Sequence, residues 1–128
     1  KVRGTDREDI KRSPLTKFKK YLDLENPYHI CFYTGQKIVE KNLAIDHVIP
    51  WSYLFSDDLW NLVYVDRSYN SSKGNKIPSE DMINKLEKRN VCLFEIINSK
   101  EMLDKNIDEL QLSISESLVR KFWVGCQG

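Results

Sequence analysis

The sequence predicts an α+β domain, and three observations carry that reading. An apolar stripe at helical spacing lies before residue 26, short extended apolar segments bounded by turn residues fill 28–66, and the texture beyond residue 78 is helical again. At 128 residues with 41% apolar side chains, one domain with a modest core is expected.

Residues 1–12 form a basic arm. Residues 1–20 hold eight Lys/Arg against three acidic residues, so this end carries +5 and the remainder −4. Ser13-Pro14 followed by Leu15, Phe18 and Leu22 predicts a helix over 13–25, stopped where Asn26-Pro27 disfavours helical backbone. The stretch "YHICFYTGQKIVE" gives two extended pieces turning at Thr34-Gly35, and "LAIDHVIP" gives a third, ended by Pro50, the three forming a hairpin-like element. Residues 51–60 have no clean period; Trp51, Tyr53, Phe55 and Trp60 are expected to anchor this loop in the core. "NLVYV" is extended, and Asp66 and Gly74 bracket a short helix of about two turns. Residues 79–128 form a helical tail. Pro78-Ser79-Glu80-Asp81 is an acidic helix start, "VCLFEII" suits either a strand or a buried helix, and Ile107, Leu110, Ile114, Leu118 and Phe122 continue to a stop at Gly125.

The formal net charge of +1 selects neither nucleic acid nor membrane as a partner. Apolar runs fall well short of the roughly 20 residues that span a bilayer, so no membrane association is expected. Cys31, Cys92 and Cys126 match no disulfide or zinc spacing, which fits a reduced, cytoplasmic setting. The first residue is Lys rather than Met, so a piece of a longer protein is one expectation.

Chemistry concentrates at Asp46-His47. A histidine at a strand end is most often structural, but Asn61, Asn70 and Lys73 follow within 28 residues of Asp46. A hairpin folded back on a helix can bring the strand end to the helix face, so that Asp46 and Asn70 offer two oxygens to one cation. Hard oxygen ligands completed by water suit Mg2+ (or Mn2+) better than zinc or copper. A neutral histidine, with an ordinary pKa of about 6.5, can take a proton from water near neutrality. Together these are the parts of a phosphodiester hydrolase.

The stretch from Cys31 to Pro78, with its ordered Asp-His, Asn, Asn and Lys, resembles the HNH endonuclease family, and "DHVIPWSYLFSDDLWN" through "KIPSED" is similar to the HNH domains of RNA-guided CRISPR nucleases. The resemblance implies a ββα-metal core over 28–78. It implies His47 as the general base, Asp46 and Asn70 as metal ligands, and Asn61 as the residue that holds the loop and orients the imidazole through its backbone carbonyl. Lys73 is implied to contact phosphate, with Arg67 and Lys76 as weaker candidates. The product ends it implies are a 5′-phosphate and a 3′-hydroxyl. Many members bind a structural zinc through two CxxC pairs; here only Cys31 of the four ligands remains, the others falling at Thr34, Asp66 and Tyr69. No structural zinc is expected, with Tyr33 and Tyr69 packing in its place and Cys31 buried as a small hydrophobe. His29 is expected to be structural, and Trp51, Trp60 and Trp123 to be core anchors.

The leading expectation is a metal-dependent endonuclease acting on DNA, with single-stranded DNA or RNA left open. A non-catalytic nucleic-acid-binding module using Arg67, Lys73 and the amino-terminal lysines is the alternative. A scaffold docking through its acidic helical tail is a third reading. Sequence preference, nicking against double-strand cutting, a restriction or defence role and a dimeric state are all left open by the text.

Overall fold

A computed structural model of the chain describes residues 14–69 and 76–127. The basic arm, Asn70, Lys73 and Gly74 lie outside them. Among the described residues the sheet is one antiparallel pair, β1 (Leu43–His47) and β2 (Leu62–Asp66), in register from Leu43 opposite Asp66 to His47 opposite Leu62. The ladder continues one step, Val48 N–H donating to the Asn61 carbonyl at 2.9 Å. Both faces of β2 are covered, so Leu62 to Val65 are all buried and the strand reads as a continuous apolar run.

The hairpin expected within 28–39 is not formed as such. The tight turn is there, with Gly35 at φ 75° and its N–H on the Cys31 carbonyl at 2.9 Å. Its arms meet in the single bridge Ile30 to Lys37, because Phe32 spends its N–H on the Tyr64 carbonyl at 3.0 Å, along the second edge of β2. The segment 43–47 therefore pairs forward, across the loop 48–61, with 62–66. That loop contains a helical turn, α2 (Trp51–Leu54), and a 3-10 turn, Leu59–Asn61. After β2 the backbone is helical at 67–69, started by Asp66, whose Oδ1 accepts the Ser68 N–H at 2.9 Å.

Four further helical segments pack around this unit. A 3-10 turn, Leu15–Phe18, runs into α1 (Lys19–Glu25), which ends at Asn26 as the proline signal predicts. In α3 (Glu80–Ser99), Ser79 caps Met82 N–H, and Ile83, Leu86, Asn90, Leu93 and Ile97 recur at spacings of three and four on the buried face. "VCLFEII" is thus helix. The tail is two helices, α4 (Lys105–Ser115) and α5 (Leu118–Cys126), broken at Ser117 with φ 53°. Helix α5 runs through Gly125 rather than stopping there; a Cβ at that position would stand 3.0 Å from the Tyr53 hydroxyl, so the bare backbone leaves room for the ring. Among the described residues no helix is long and apolar enough to cross a membrane.

Helix α3 also bolts down the end of the 48–61 loop. The buried Arg89 guanidinium donates to the carbonyls of Leu62 (2.7 Å) and Leu59 (3.1 Å) and to Asn90 Oδ1 (3.0 Å), while Asn90 Nδ2 donates to the Trp60 carbonyl (2.9 Å). Burial holds the Arg89 pKa down, to about 10. Three loop and strand carbonyls, of Leu59, Trp60 and Leu62, are satisfied by this one pair of side chains.

The aromatic anchors divide. Trp60 is buried and stacks on Phe122 (ring centres 5.8 Å apart), and the half-buried Trp123 donates its indole N–H to the Pro78 carbonyl at 2.7 Å. Trp51 is half-buried, whereas Tyr53 and Phe55 are 44% and 69% exposed, contrary to expectation. Core space beside β2 is already taken by Trp60, Leu59 and the α3 face, which leaves α2 as an outer layer.

Candidate active site and nucleic-acid interface

Strand β1 delivers Asp46 and His47 at its carboxyl end, on opposite faces because successive strand side chains alternate. Each is held by a different element. His47 is 6% exposed, and its Nε2 lies 2.7 Å from Asp57 Oδ1, on the loop that returns to β2. With Nε2–H donating a hydrogen bond to the Asp57 carboxylate, the lone pair of a neutral imidazole lies on Nδ1.

Asp46 is half-buried. Its Oδ2 accepts from the Tyr33 hydroxyl at 2.9 Å, and the Tyr33 ring stacks on Tyr69 with centres 5.1 Å apart. Burial, then the Asp46 charge, pushes the Tyr33 phenol well above its ordinary pKa, so it remains a protonated donor. The two tyrosines pack together as the sequence suggests, beside the buried Cys31, whose sulfur accepts the Asp66 N–H at 3.5 Å. Burial raises the Cys31 thiol pKa, but hydrogen bonds from Thr34 and Asp66 outweigh it and the net direction is down.

Asn61 is wholly buried and clamps the start of the loop to its end. Its Nδ2 donates to the Ile49 carbonyl at 2.9 Å and its Oδ1 accepts the Ile49 N–H at 2.8 Å. With the Val48 bond to its backbone carbonyl, one residue fixes both positions that follow His47. The imidazole itself is met by Asp57.

Of the basic candidates, Arg67 is exposed and its Nη2 donates to the Leu43 carbonyl at 3.4 Å. With Lys19 it lines an open groove of about 340 Å3 along Leu43, Ala44 and Ile45. Lys76 is exposed. Asn70 and Lys73 fall outside the described residues, so the structure brings together Asp46, His47 and Asn61 and does not address those two. Among the described residues no group of three or more His, Cys, Asp or Glu gathers at metal-binding distance.

His29 is structural, at φ 56°: Nδ1 meets Glu40 at 2.6 Å and Nε2 meets Asp23 at 3.0 Å. Asp57 is the site residue that sequence reading passed over. Its only signal was an acidic pair, Asp57-Asp58, ten residues beyond the Asp-His pair in a loop that must fold back.

Residues 31–79 match the family model described as HNH endonuclease. The chain carries an HNH endonuclease segment. The HNH match covers both strands, the 48–61 loop and the chain as far as the cap of α3; α1 and the whole of α3, α4 and α5 lie outside it. No curated protein matches the chain. The HNH family implies nuclease activity on nucleic acid and, in general, dependence on a metal ion.

Proposed function

We propose that the chain is a metal-dependent HNH endonuclease that hydrolyses phosphodiester bonds of DNA. The observation that carries this reading is the separate support given to the two neighbouring residues: Tyr33 orients the Asp46 carboxylate, and Asp57 holds the His47 imidazole. A structural histidine has no need of an adjacent, half-exposed carboxylate with its own donor.

His47 takes a proton from water at Nδ1, and the Asp57 carboxylate at Nε2 stabilises the imidazolium that forms. The water oxygen attacks phosphorus, the bond from phosphorus to the 3′ oxygen breaks, and that oxygen gains a proton, giving a 5′-phosphate and a 3′-hydroxyl. Asp46 and Asn70 would hold the divalent cation, taken to be magnesium. A carboxylate with a hydroxyl behind it, joined by an amide carbonyl, is a hard oxygen set that fits this ion. When bound, the ion neutralises charge developing on the phosphate and leaving oxygens. Asn61 keeps the loop, and with it Asp57, in place. Lys73, Arg67 and Lys76 contact substrate phosphates, with Lys19 extending the cationic wall.

The test is cleavage of supercoiled plasmid and of single-stranded DNA by the purified chain, in magnesium or chelator, beside His47→Ala. Cutting that needs magnesium and falls by roughly 100- to 10,000-fold in the variant supports the proposal. Nucleic-acid binding without cutting by the folded wild-type chain would refute it and favour the binding module.

A further inference from the structure

Resting on that proposed activity, we infer that the α2 turn is a stacking platform for an unpaired nucleobase beside the scissile phosphate, with Phe55 as its outer ring. The substrate at the cut is then single-stranded or locally opened DNA rather than an undisturbed duplex.

Phe55 is the most exposed aromatic of the 48–61 loop, at 69%, and is paired edge-on with Trp51 (ring centres 5.2 Å apart, planes at 77°). Its backbone is left-handed, φ 58° and ψ 30°, a conformation unfavourable for a bulky side chain and seldom kept without a reason elsewhere. The turn is closed by the Phe55 N–H on the Trp51 carbonyl at 2.7 Å, which sends the chain back toward the site while the ring faces solvent.

Continuity with the catalytic pair gives the exposed ring its use. Asp57 follows Phe55 by two residues and its carboxylate touches the His47 imidazole. Two residues of extended chain span at most about 7 Å, so the Phe55 backbone lies within about 7 Å of the Asp57 backbone, whose side chain meets the imidazole. Asp57 and Asp58 follow Phe55 by two and three residues, so the chain beside the ring is acidic, and the uncharged face of a base is the part of a nucleotide suited to it. Arg67 and Lys19 line a groove along Leu43, Ala44 and Ile45, where the phosphates of a bound strand would meet cations. The platform is also rigid: the Asn61 clamp and the Arg89 carbonyl bonds fix the loop, and Tyr53 rests over Gly125 of α5. A preformed aromatic face loses little entropy on binding and accepts any base.

The experiment measures binding of the full chain, in chelator, to a fluorescent oligothymidine, to an abasic strand of the same length and to a blunt duplex. The variants are Phe55→Ala, Phe55→Leu and Phe55→Trp; the leucine variant keeps apolar bulk without a ring. Stacking predicts that the first two lose about 5- to 100-fold in affinity for oligothymidine, that Phe55→Trp retains it, and that abasic-strand and duplex affinities are unchanged. Equal losses on all three ligands, or none, overturn the inference. So does a Phe55→Ala chain that binds oligothymidine normally but loses self-association in sedimentation, which would assign the ring to a second copy. Normal magnesium-dependent cutting by the wild type alongside any of these results leaves the nuclease standing, whereas a folded wild type that neither cuts nor binds fails both proposals.

Discussion

Replacing Asn61 by alanine tests the physical core of the site. The amide makes two reciprocal hydrogen bonds with the backbone of Ile49, at 2.8 and 2.9 Å, and both residues are wholly buried. Alanine removes both partners at once and leaves one N–H and one C=O of Ile49 orphaned where water has no access. Each orphan costs about 1–3 kcal/mol, so a loss of about 3 kcal/mol is expected after local relaxation. With a urea slope of about 1.5 kcal/mol per M for a domain of this size, the unfolding midpoint falls by about 2 M. Asn61→Asp is no rescue, because a carboxylate still accepts the Ile49 N–H but sets an oxygen against the Ile49 carbonyl. Urea titrations followed by circular dichroism measure both variants. A midpoint shift below about 0.5 M for Asn61→Ala, in a chain that unfolds with unchanged slope, would refute the account of Asn61 as the clamp.

Further predictions follow from the same contacts. Tyr33→Phe deletes the donor to Asp46 and is expected to raise the magnesium concentration for half-maximal cleavage by about tenfold; an unchanged requirement counts against Tyr33 as the support of a metal ligand. Arg89→Met strips three donors from the Leu59 and Leu62 carbonyls and Asn90 and should cost about 3–5 kcal/mol in urea unfolding. Stability should also depend on pH through His29. Hydrogen bonding to Glu40, then to Asp23, outweighs burial and raises its pKa above the ordinary 6.5, so its contribution is fully present below that value and is lost as pH rises through the folded pKa. Hydrogen bonding to His29 lowers Glu40, while burial of Asp23 is outweighed by hydrogen bonds from Tyr64 and His29; those contributions are lost as pH falls through the folded carboxylate values. Melting temperatures should therefore be higher near pH 6 than near pH 9, with the difference abolished in His29→Gln.

What could be foreseen from the sequence depended on whether a feature is local. Helix boundaries at Asn26-Pro27 and Ser79 were visible because proline geometry and side-chain caps act within a few residues. The Asp46-His47 pair and Asn61 were visible because ordered polar residues interrupt apolar segments. Strand pairing was not, since the partner of 43–47 lies across the whole 48–61 loop, and the Thr34-Gly35 turn offered a nearer alternative that forms only one bridge. Arg89 sits in a run of charged helix residues and reads as solvated; only the arrival of the 59–62 carbonyls beneath it makes it a buried bolt. Phe55 was expected inside for its hydrophobicity alone, but burial depends on which elements arrive to cover a side chain. Asp57 was missed for the same reason, as nothing in its neighbours indicates the imidazole it meets.

The division of labour between adjacent residues is the central claim: Asp46 binds metal and His47 moves a proton. Calorimetric titration of Mn2+ into wild type, Asp46→Ala and His47→Ala tests it without any turnover. The account predicts that His47→Ala binds the ion like wild type while failing to cut DNA, and that Asp46→Ala binds at least tenfold more weakly. Loss of binding in His47→Ala, with Asp46→Ala unaffected, would make the histidine the ligand and contradict it.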